Sequence, residues 1–390
     1  MRQADEAVCP TIGEMMERAH FDTPGDVVDG PRACTDYELP PVLDLVNLVF
    51  RVEAGRPPTF GRDWAQIYRP ANLENVRVLF LNHQPVSSIA IFPSTVRAGA
   101  YELRVGGING VATHPDFRRR GLAGTVLRDV HQRLLDDGCD VGLLSTGIVD
   151  WYRRFGWEHG ALERSFTLDR TTVRYLPPLV DAEIVAGVDA HLDAMRLLHE
   201  REPSRAERSP ELTRLLFCRP RVTGYVARRS GQVVAYALVA RDRVVECGGA
   251  GEDVAGLVAE IFHRLDDPAA STSTRDRTRP GTGPTLHLQV TSPPRDEGFG
   301  SLLERIGLPA EHHYLGMLRV VNARQLLGKL APRLVVERDD ETDLTLRDGS
   351  ARLTLSRRDL VKLCFGPERV FAFARDVLPV PFYQYALDRV

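Results

Sequence analysis

A strand, a loop and a helix follow one another in INGVATHPDFRRRGLAGTVLRDVHQRLLDDG, and this stretch constrains the fold more than any other. Apolar side chains recur at spacings of three and four from Ala123 to Leu134, which predicts a helix with one apolar face. Gly138 supplies the residue type that commonly ends a helix. The preceding apolar run INGVA predicts a buried strand, so the stretch is a strand, a loop and a helix.

The loop between this strand and helix has the residues of an anion site. A helix N-terminus presents unpaired N–H groups and a partial positive charge. Gly121 and Ala123 lack bulk, and the arginines from Arg118 to Arg120 add charge suited to phosphate oxygens. Neither G-x-x-x-x-G-K-[ST] nor G-x-G-x-x-G after a strand occurs. A run of three arginines is also typical of a solvated basic surface, and that alternative stays open on these residues alone.

Composition narrows the class of protein. The 390 residues carry 50 basic and 53 acidic side chains, a balance that argues against a nucleic-acid-binding protein. Six cysteines without C-x-x-C spacing argue against a zinc site or a redox pair. No run approaches 18 apolar residues, and the N-terminus is charged where a signal peptide is apolar. We therefore expect a soluble cytoplasmic protein that binds no metal, no nucleic acid and no membrane.

Two patterns together resemble the GNAT N-acetyltransferase superfamily. The first is R-x-x-G-x-A from Arg118 to Ala123, between a predicted strand and a predicted helix. The second is Y-x-x-F-G-W from Tyr152 to Trp157, about thirty residues further on. The resemblance implies acetyl-CoA as co-substrate and no metal cofactor.

The whole chain resembles the Eis-type acetyltransferases, which have tandem GNAT folds and a C-terminal sterol-carrier-like domain. The resemblance implies an α/β (α+β) fold with mixed, mostly antiparallel sheets. It divides the chain into an N-terminal extension at 1–35, a catalytic GNAT domain at 36–170, a degenerate GNAT-like domain at 171–312 and a small sterol-carrier-like α/β domain at 313–390. The polar stretch 267–284 is expected to form a surface loop.

The resemblance also implies roles for particular residues. Strand-edge backbone at Val111, Ala112 and Thr113 would bind the pantetheine arm, and Gly147 and Ile148 would flank the acetyl group. The pyrophosphate would lie against the loop and the helix start, which comprise Arg119, Arg120, Gly121, Leu122, Ala123 and Gly124. In the second GNAT-like domain the matching loop carries Glu252 and Asp253, so repulsion predicts that no CoA binds there.

Two residues are implied as catalytic. Tyr152 falls where the family has its general acid, and a phenol with a pKa near 10 can donate to a departing thiolate near 8.5. The backbone carboxylate of Val390 would be the general base. An alkylammonium of pKa near 10.4 needs one, because its deprotonation at pH 7 costs about 4.6 kcal/mol. The alternatives are that Tyr152 only packs beside the cofactor and that Val390 is a frayed terminus.

The function expected from the resemblance is direct transfer of acetyl from acetyl-CoA to an amine of a small cationic acceptor, such as an aminoglycoside, a polyamine or a lysine-like side chain. The alternatives are a non-catalytic acyl-CoA or lipid-binding sensor module and an acyltransferase for longer acyl groups. The carboxylates of Glu53, Asp376 and Asp388 are candidate partners for a cationic acceptor. The resemblance further implies a homo-oligomer, specifically a hexamer.

Overall fold

The structure is a computed structural model that describes residues 25–267, 286–294, 298–367 and 370–389. Nearly all of the surface loop expected at 267–284 lies outside these residues, as do residues 1–24 of the predicted extension. The described chain forms two compact units. One comprises the described parts of Met1–Pro93 and Gly106–Cys139, and the other comprises Ser94–Val105 and the described parts of Asp140–Val390.

The strands are numbered in chain order. They are β1 (Val28–Ala33), β2 (Val76–Leu81), β3 (Gln84–Ala98), β4 (Tyr101–Thr113), β5 (Val141–Leu144), β6 (Glu158–Leu168), β7 (Glu183–Ala186), β8 (Ser204–Ala206), β9 (Val222–Arg229), β10 (Gln232–Ala240), β11 (Arg243–Gly249), β12 (Leu288–Ser292), β13 (Glu311–Val320), β14 (Val335–Asp339), β15 (Asp343–Asp348) and β16 (Ala351–Ser356).

The α-helices are numbered in the same way. They are α1 (Leu39–Phe50), α2 (Phe60–Asp63), α3 (Leu122–Asp136), α4 (Val149–Arg153), α5 (Leu192–His199), α6 (Pro210–Phe217), α7 (Gly251–Asp266), α8 (Phe299–Arg305), α9 (Ala323–Leu330) and α10 (Arg357–Phe365). Short 3₁₀ helices occur at Val52–Ala54, Pro70–Asn75, Pro115–Phe117, Val173–Tyr175 and Asp189–His191.

In the first unit β1, β2 and the first-unit parts of β3 and β4 are neighbours in that order, and α3 packs against β2. The apolar face predicted for α3 is confirmed, since its side chains from Val126 to Leu134 at the predicted positions are buried. A bidentate ion pair between Arg77 on β2 and Asp129 on α3 (Nε to Oδ2, 2.6 Å) fixes the helix on the sheet. The strand–loop–helix order around residues 108–138 is therefore as the sequence predicts.

Strand β1 was missed by sequence analysis, which leaves its residues in the N-terminal extension. Its sequence VDGPRA lacks the alternation of a strand. Gly30 adopts φ +105°, and a Cβ there would lie 2.5 Å from the Val78 carbonyl oxygen. The register with β2 shifts between Asp29 and Arg32. This irregular strand therefore needs a glycine where β2 comes closest, and the same glycine hides it from pattern analysis.

In the second unit the strand order is β5, β13, β6, β12, β11, β10, β9 and β7. The β11–β12 pair is parallel, whereas the pairs β5–β13, β13–β6, β6–β12, β11–β10, β10–β9 and β9–β7 are antiparallel. The prediction of a mixed α/β fold with mostly antiparallel strands is confirmed. Strand β13 pairs with both β5 and β6, although the predicted domain boundary at 312 falls within it. The four-part division of the chain stays a prediction.

The chain beyond β13 shares a core with the strands before it. Strands β14, β15 and β16 form a separate antiparallel sheet, and a turn at Asp348-Gly349 joins β15 to β16. One apolar cluster contains Leu143 of β5, Leu318 of β13, Leu346 of β15 and Phe365 of α10. Burial of one such side chain contributes about 1.5–3 kcal/mol, so this core joins segments that are far apart in sequence. The sterol-carrier resemblance stays a prediction.

A buried ionic cluster holds the C-terminal segment in the second unit. Arg208 forms bidentate pairs with Asp388 (Nε to Oδ1, 2.7 Å) and with Glu246 (Nη2 to Oε2, 2.6 Å). His199 Nε2 lies 2.8 Å from the carbonyl oxygen of Ala206, and its Nδ1 lies 3.2 Å from Glu246 Oε1. Both ring nitrogens face acceptors, so the imidazolium fits the site best. Two cations then balance two anions in a place closed to water.

The cluster makes the stability of the fold depend on pH. Burial and Arg208 oppose protonation of His199, but Glu246 and Asp388 outweigh them and raise its pKa above the usual value. Because the pKa is raised on folding, the stabilisation is complete below the unfolded value of about 6.5 and is lost as pH rises through the folded value. We expect the unfolding free energy of the wild type, from urea denaturation, to fall more between about pH 6 and pH 9 than that of His199→Gln. Equal pH dependence in the two proteins would contradict this.

Candidate active site

The N-terminus of α3 is open and carries no side-chain cap. Its N-cap residue, Gly121, is exposed and adopts φ +82°, in the left-handed region that favours glycine. The first helical bond runs from Thr125 N to Gly121 O (3.1 Å), which leaves the N–H groups from Leu122 to Gly124 without intrahelical partners. Such a terminus is suited to an anion.

The three arginines before this helix have different surroundings. Arg118 donates to Glu53 (Nη2 to Oε2, 2.5 Å) and to the carbonyl oxygen of Thr113 (Nε to O, 3.3 Å). Arg120 lies over the Phe117 ring, with 5.2 Å from Cζ to the ring centroid. Within the described chain, exposed Arg119 has no hydrogen-bond or ion-pair partner, and its φ is +65°. Arg118 therefore holds the loop in place, whereas the guanidinium of Arg119 is available to bind a ligand.

The end of β4 contains the residues expected to bind pantetheine. Gly110 interrupts the strand with φ +61°, and a Cβ there would overlap the Tyr68 hydroxyl, which donates to Asn109 Oδ1 (3.4 Å). Sequence analysis missed that Tyr68 packs against the backbone at Gly110, because only the tertiary structure brings these two residues together. Beyond this irregularity Ala112 is buried and its carbonyl oxygen accepts from Ser87 Oγ (3.0 Å). The segment from Val111 to Thr113 is therefore held in a fixed backbone conformation.

Helix α4, in the second unit, carries Tyr152. It follows β5 and a short loop in which the Ile148 N–H donates to Thr146 Oγ1 (3.0 Å). Gly147 has open space where a Cβ would lie, and the Ile148 side chain is 62% exposed. The loop therefore offers small and apolar surface beside the start of α4.

Tyr152 itself is buried among aromatic rings. It is 4% exposed, and the Trp151 and Trp157 ring centroids lie 4.7 and 6.2 Å away in edge-on arrangements. Burial raises the pKa of Tyr152 to about 12. Its hydroxyl has no hydrogen-bond partner among the described residues. The phenol thus stays protonated at neutral pH and is available as a donor to a ligand.

The predicted site residues are distributed over both units. Those from Val111 to Gly124 belong to the first unit, whereas Gly147, Ile148 and Tyr152 belong to the second. Val390 lies outside the described residues. Among the residues that the structure does describe, no group of three or more His, Cys, Asp or Glu residues could hold a metal ion. No described helix is long and apolar enough to cross a membrane.

Each candidate acceptor-binding carboxylate is already bound by an arginine, and its role as a substrate ligand stays a prediction. Glu53 is bound by Arg118 and Asp388 by Arg208. Asp376 is bound by Arg333, with 2.5 Å from Nη2 to Oδ1. The arginine partners lie 65, 180 and 43 residues away in sequence, respectively, and no local pattern reveals such pairs.

Helix α7 offers an internal comparison with α3. Its first turn carries Glu252 and Asp253, and Arg229 already binds Asp253 (Nη2 to Oδ1, 2.6 Å). A Cβ at Gly251 would lie 2.9 Å from the backbone carbon of Gly298, so this helix start is covered by protein. An anion meets repulsion and no space here, in contrast to the open terminus of α3.

Residues 31–160 match the family model described as an acetyltransferase (GNAT) domain. The chain carries a GNAT domain. The matched range contains every predicted cofactor-binding residue and Tyr152, and the prediction of a GNAT acetyltransferase domain is confirmed. The N-acetyltransferase Eis proteins of Mycobacterium tuberculosis (strain ATCC 25177 / H37Ra) and Mycobacterium bovis (strain BCG / Pasteur 1173P2) are 32% identical to the chain over 77 residues, which is 20% of this chain and 19% of each relative. The match thus spans about a fifth of the length of these relatives.

Solved structures resemble the chain over most of its length. A probable N-acyltransferase from Enterococcus faecalis V583 has a TM-score of 0.60 at 13% identity, covering 87% of this chain and 89% of that one. Eis1 from Mycobacterium abscessus has a TM-score of 0.57 at 13% identity, with coverage of 88% and 90%. A GCN5-related N-acetyltransferase from Kribbella flavida has 0.57 at 18% identity, with coverage of 85% and 82%. At these identities the likeness shows the fold alone.

The left-handed backbone at Gly121 can be tested by stability. Gly121→Ala places a Cβ in open space but forces an L-residue into the left-handed region, which costs about 1–2 kcal/mol. Gly147→Ala is the matched control, since its Cβ also meets open space and its φ is not in that region. We expect urea denaturation to show the loss for Gly121→Ala alone. Equal stabilities of the two variants would contradict the assigned helix start.

Proposed function

We propose that the chain is an acetyl-CoA-dependent N-acetyltransferase that transfers acetyl directly to an amine of a small cationic acceptor, such as an aminoglycoside, a polyamine or a lysine-like side chain. The observation that carries the proposal is the open N-terminus of α3 beside Arg119, which has no partner among the described residues, within the range that matches a GNAT domain. The proposal of acetyl-CoA follows from the chemistry of that terminus, which suits a pyrophosphate.

Each part of the cofactor has a proposed contact. The pyrophosphate accepts from the N–H groups between Leu122 and Gly124 and from Arg119 and Arg120. The pantetheine arm lies against the backbone from Val111 to Thr113. Glu53 acts indirectly: it holds Arg118 and thereby keeps the loop in one conformation before the ligand arrives. Ordering the loop in advance lowers the entropic cost of binding.

Transfer forms one bond and breaks one. The amine nitrogen attacks the thioester carbonyl, the new C–N bond forms, and the C–S bond breaks with its electron pair going to sulfur. Full transfer of the proton from Tyr152, whose pKa is about 12, to a thiolate of pKa near 8.5 would cost about 5 kcal/mol of free energy. We therefore propose that Tyr152 stabilises the departing sulfur by a hydrogen bond. The role that sequence predicts for Tyr152, that of a full general acid, is thereby revised to that of a hydrogen-bond donor.

The proton of the incoming amine goes to a base, for which we propose the backbone carboxylate of Val390. Support comes from the two residues before it. Asp388 is held by Arg208, and Arg389 donates to Glu163 (Nη2 to Oε2, 2.6 Å). The segment that leads to Val390 is therefore anchored in the second unit.

The resemblance carries two further proposals, a homo-oligomer that is a hexamer and a cytoplasmic location. Light scattering of the purified chain gives the assembly directly. The region at 171–312 is proposed to be a GNAT-like domain that no longer binds CoA, which is supported by the covered start of α7. An amine screen by thiol release against acetyl-CoA would identify the acceptor.

The role of Tyr152 predicts the behaviour of Tyr152→Phe. Removal of one preorganised donor to developing charge costs about 10²- to 10³-fold in kcat. We expect a loss of this order in thiol release, with an almost unchanged KM for acetyl-CoA. Tyr175→Phe, at a tyrosine that is 55% exposed, is the matched control and should keep full activity. Thiol release that stays at the uncatalysed background in both the wild type and Tyr152→Phe would instead favour the non-catalytic binding module, and faster reaction with longer acyl-CoA would favour the other acyltransferase.

The role of Val390 predicts that one added residue abolishes most activity. An extra alanine converts the backbone carboxylate at Val390 into an amide, which has no basic oxygen. We expect kcat to fall at least tenfold, while acetyl-CoA binding measured by calorimetry stays unchanged. Full activity of the extended chain would reject this base.

A further inference from the structure

Helix α4 is too short to hold its own conformation. It has five residues, and isolated helices below about 12 residues are marginal in water. Its position must therefore come from contacts with other elements. Because Tyr152 lies on this helix, whatever fixes α4 also fixes the hydroxyl that we propose to face the leaving sulfur.

Two paired residues of β5 and β13, Gly142 and Arg319, form a contact surface for the segment after Tyr152, and we call this surface the seat. Gly142 on β5 pairs directly with Arg319 on β13, and side chains of such a pair lie on one face of the sheet. A Cβ at Gly142 would lie 2.6 Å from the Trp157 ring, so the glycine makes space for buried Trp157. Arg319 donates through Nη1 to the carbonyl oxygen of Phe155.

Gly156 completes this seat. It adopts φ +78°, and a Cβ there would overlap Arg319 Nη1. The glycine of the Y-x-x-F-G-W pattern thus has two structural reasons: the turn needs a left-handed residue, and the guanidinium needs the space. Sequence analysis identified the glycine but not Arg319, its partner 163 positions downstream.

The charge of Arg319 indicates that the contact is a specific one. Among the described residues Arg319 has no ion pair, and burial together with nearby Arg357 lowers its pKa to about 10. A half-buried guanidinium without an ion pair is costly, and here its hydrogen bond goes to the backbone at the end of α4. An apolar residue at this place would be less costly for the fold alone.

A second tie supports the same helix. Arg153 of α4 and Arg358 of α10 both donate to buried Glu158 (Nη2 to Oε1, 2.8 Å, and Nε to Oε2, 2.9 Å). Although burial opposes ionisation, these hydrogen bonds lower the pKa of Glu158 to about 2. This carboxylate therefore stays charged and connects α4 to α10 at neutral pH.

We propose that Arg319 is a positioning residue for Tyr152: its hydrogen bond to Phe155 fixes the end of α4 and thereby the direction of the Tyr152 hydroxyl. The inference rests on the proposed acetyltransferase function. It assigns a role in the reaction to β13, a strand that follows the GNAT-matched range by 150 residues.

Kinetics give the first test. We expect Arg319→Met to lower kcat for thiol release by about 10- to 100-fold. The KM for acetyl-CoA should change less than twofold, because the residues proposed to bind the pyrophosphate and the pantetheine arm belong to the first unit. Arg319→Lys keeps a donor and should recover part of the loss. In a Tyr152→Phe background the same change should have little further effect, since its role acts through that hydroxyl. Arg352→Met, at an exposed arginine, is the matched control.

A readout without activity gives the second test. The chain has three tryptophans, so in a Trp64→Phe background the emission comes from Trp151 and Trp157 alone. We expect Arg319→Met to increase acrylamide quenching of this emission at least twofold, and Arg352→Met to leave it unchanged. Gly156→Ala, which introduces a Cβ into the same contact, should increase quenching as well and serves if Arg319→Met does not fold.

The two tests separate the possible failures. A wild type without thiol release for any amine would refute the proposed function, while the quenching comparison would still judge the seat. Unchanged quenching in both Arg319→Met and Gly156→Ala would overturn the positioning role. So would a kcat loss that multiplies fully with that of Tyr152→Phe, because Arg319 would then act independently of the tyrosine.

Discussion

The open start of α3 is the constraint on which the rest of the proposed site depends. A helix that begins on a left-handed glycine, with no side chain on its first N–H groups, keeps those groups available for an anion. The surrounding contacts preserve this state. Arg118 is held by Glu53, the helix is fixed to β2 by the Arg77–Asp129 pair, and Arg119 alone of the three arginines has no partner in the described chain. The start of α7, covered by Gly298 and lined with acids, shows how the same arrangement loses its anion site.

Burial decides the proposed chemistry in the second unit. The aromatic surroundings of Tyr152 raise its pKa to about 12, far above that of a thiol. Full proton transfer to the leaving group is then uphill, whereas a hydrogen bond to developing charge in a site with little water is strong. The same surroundings demand precise placement, because a single donor is useful only when it points at the sulfur. Arg319 and Gly142 on the sheet, together with Gly156 in the turn after α4, supply that placement.

The parts of this site that sequence predicts are those that local pattern encodes. The periodicity from Ala123 to Leu134 predicted the helix, which the structure confirms, and the spacing of Arg118, Gly121 and Ala123 predicted the anion site that we propose at its start. What sequence did not predict depends on contacts between distant positions. In the sequence Glu53 cannot be told from any other surface acid, because its contact with Arg118 is visible only in the structure. Likewise, nothing near Arg319 in sequence points to Phe155. Strand β1 escaped prediction because Gly30, which its close approach to β2 requires, also breaks its pattern.

The most direct measurement for the central claim is calorimetric titration of acetyl-CoA into the full chain, with Arg119→Ala as a variant and Arg352→Ala as an exposed control. We expect one acetyl-CoA bound per chain, since the start of α7 is closed to an anion. We further expect affinity at least fivefold weaker in Arg119→Ala, unchanged affinity in the control, and a difference that shrinks at high salt as the charge is screened. Absence of binding to the wild type, or equal binding by wild type and Arg119→Ala, would contradict it.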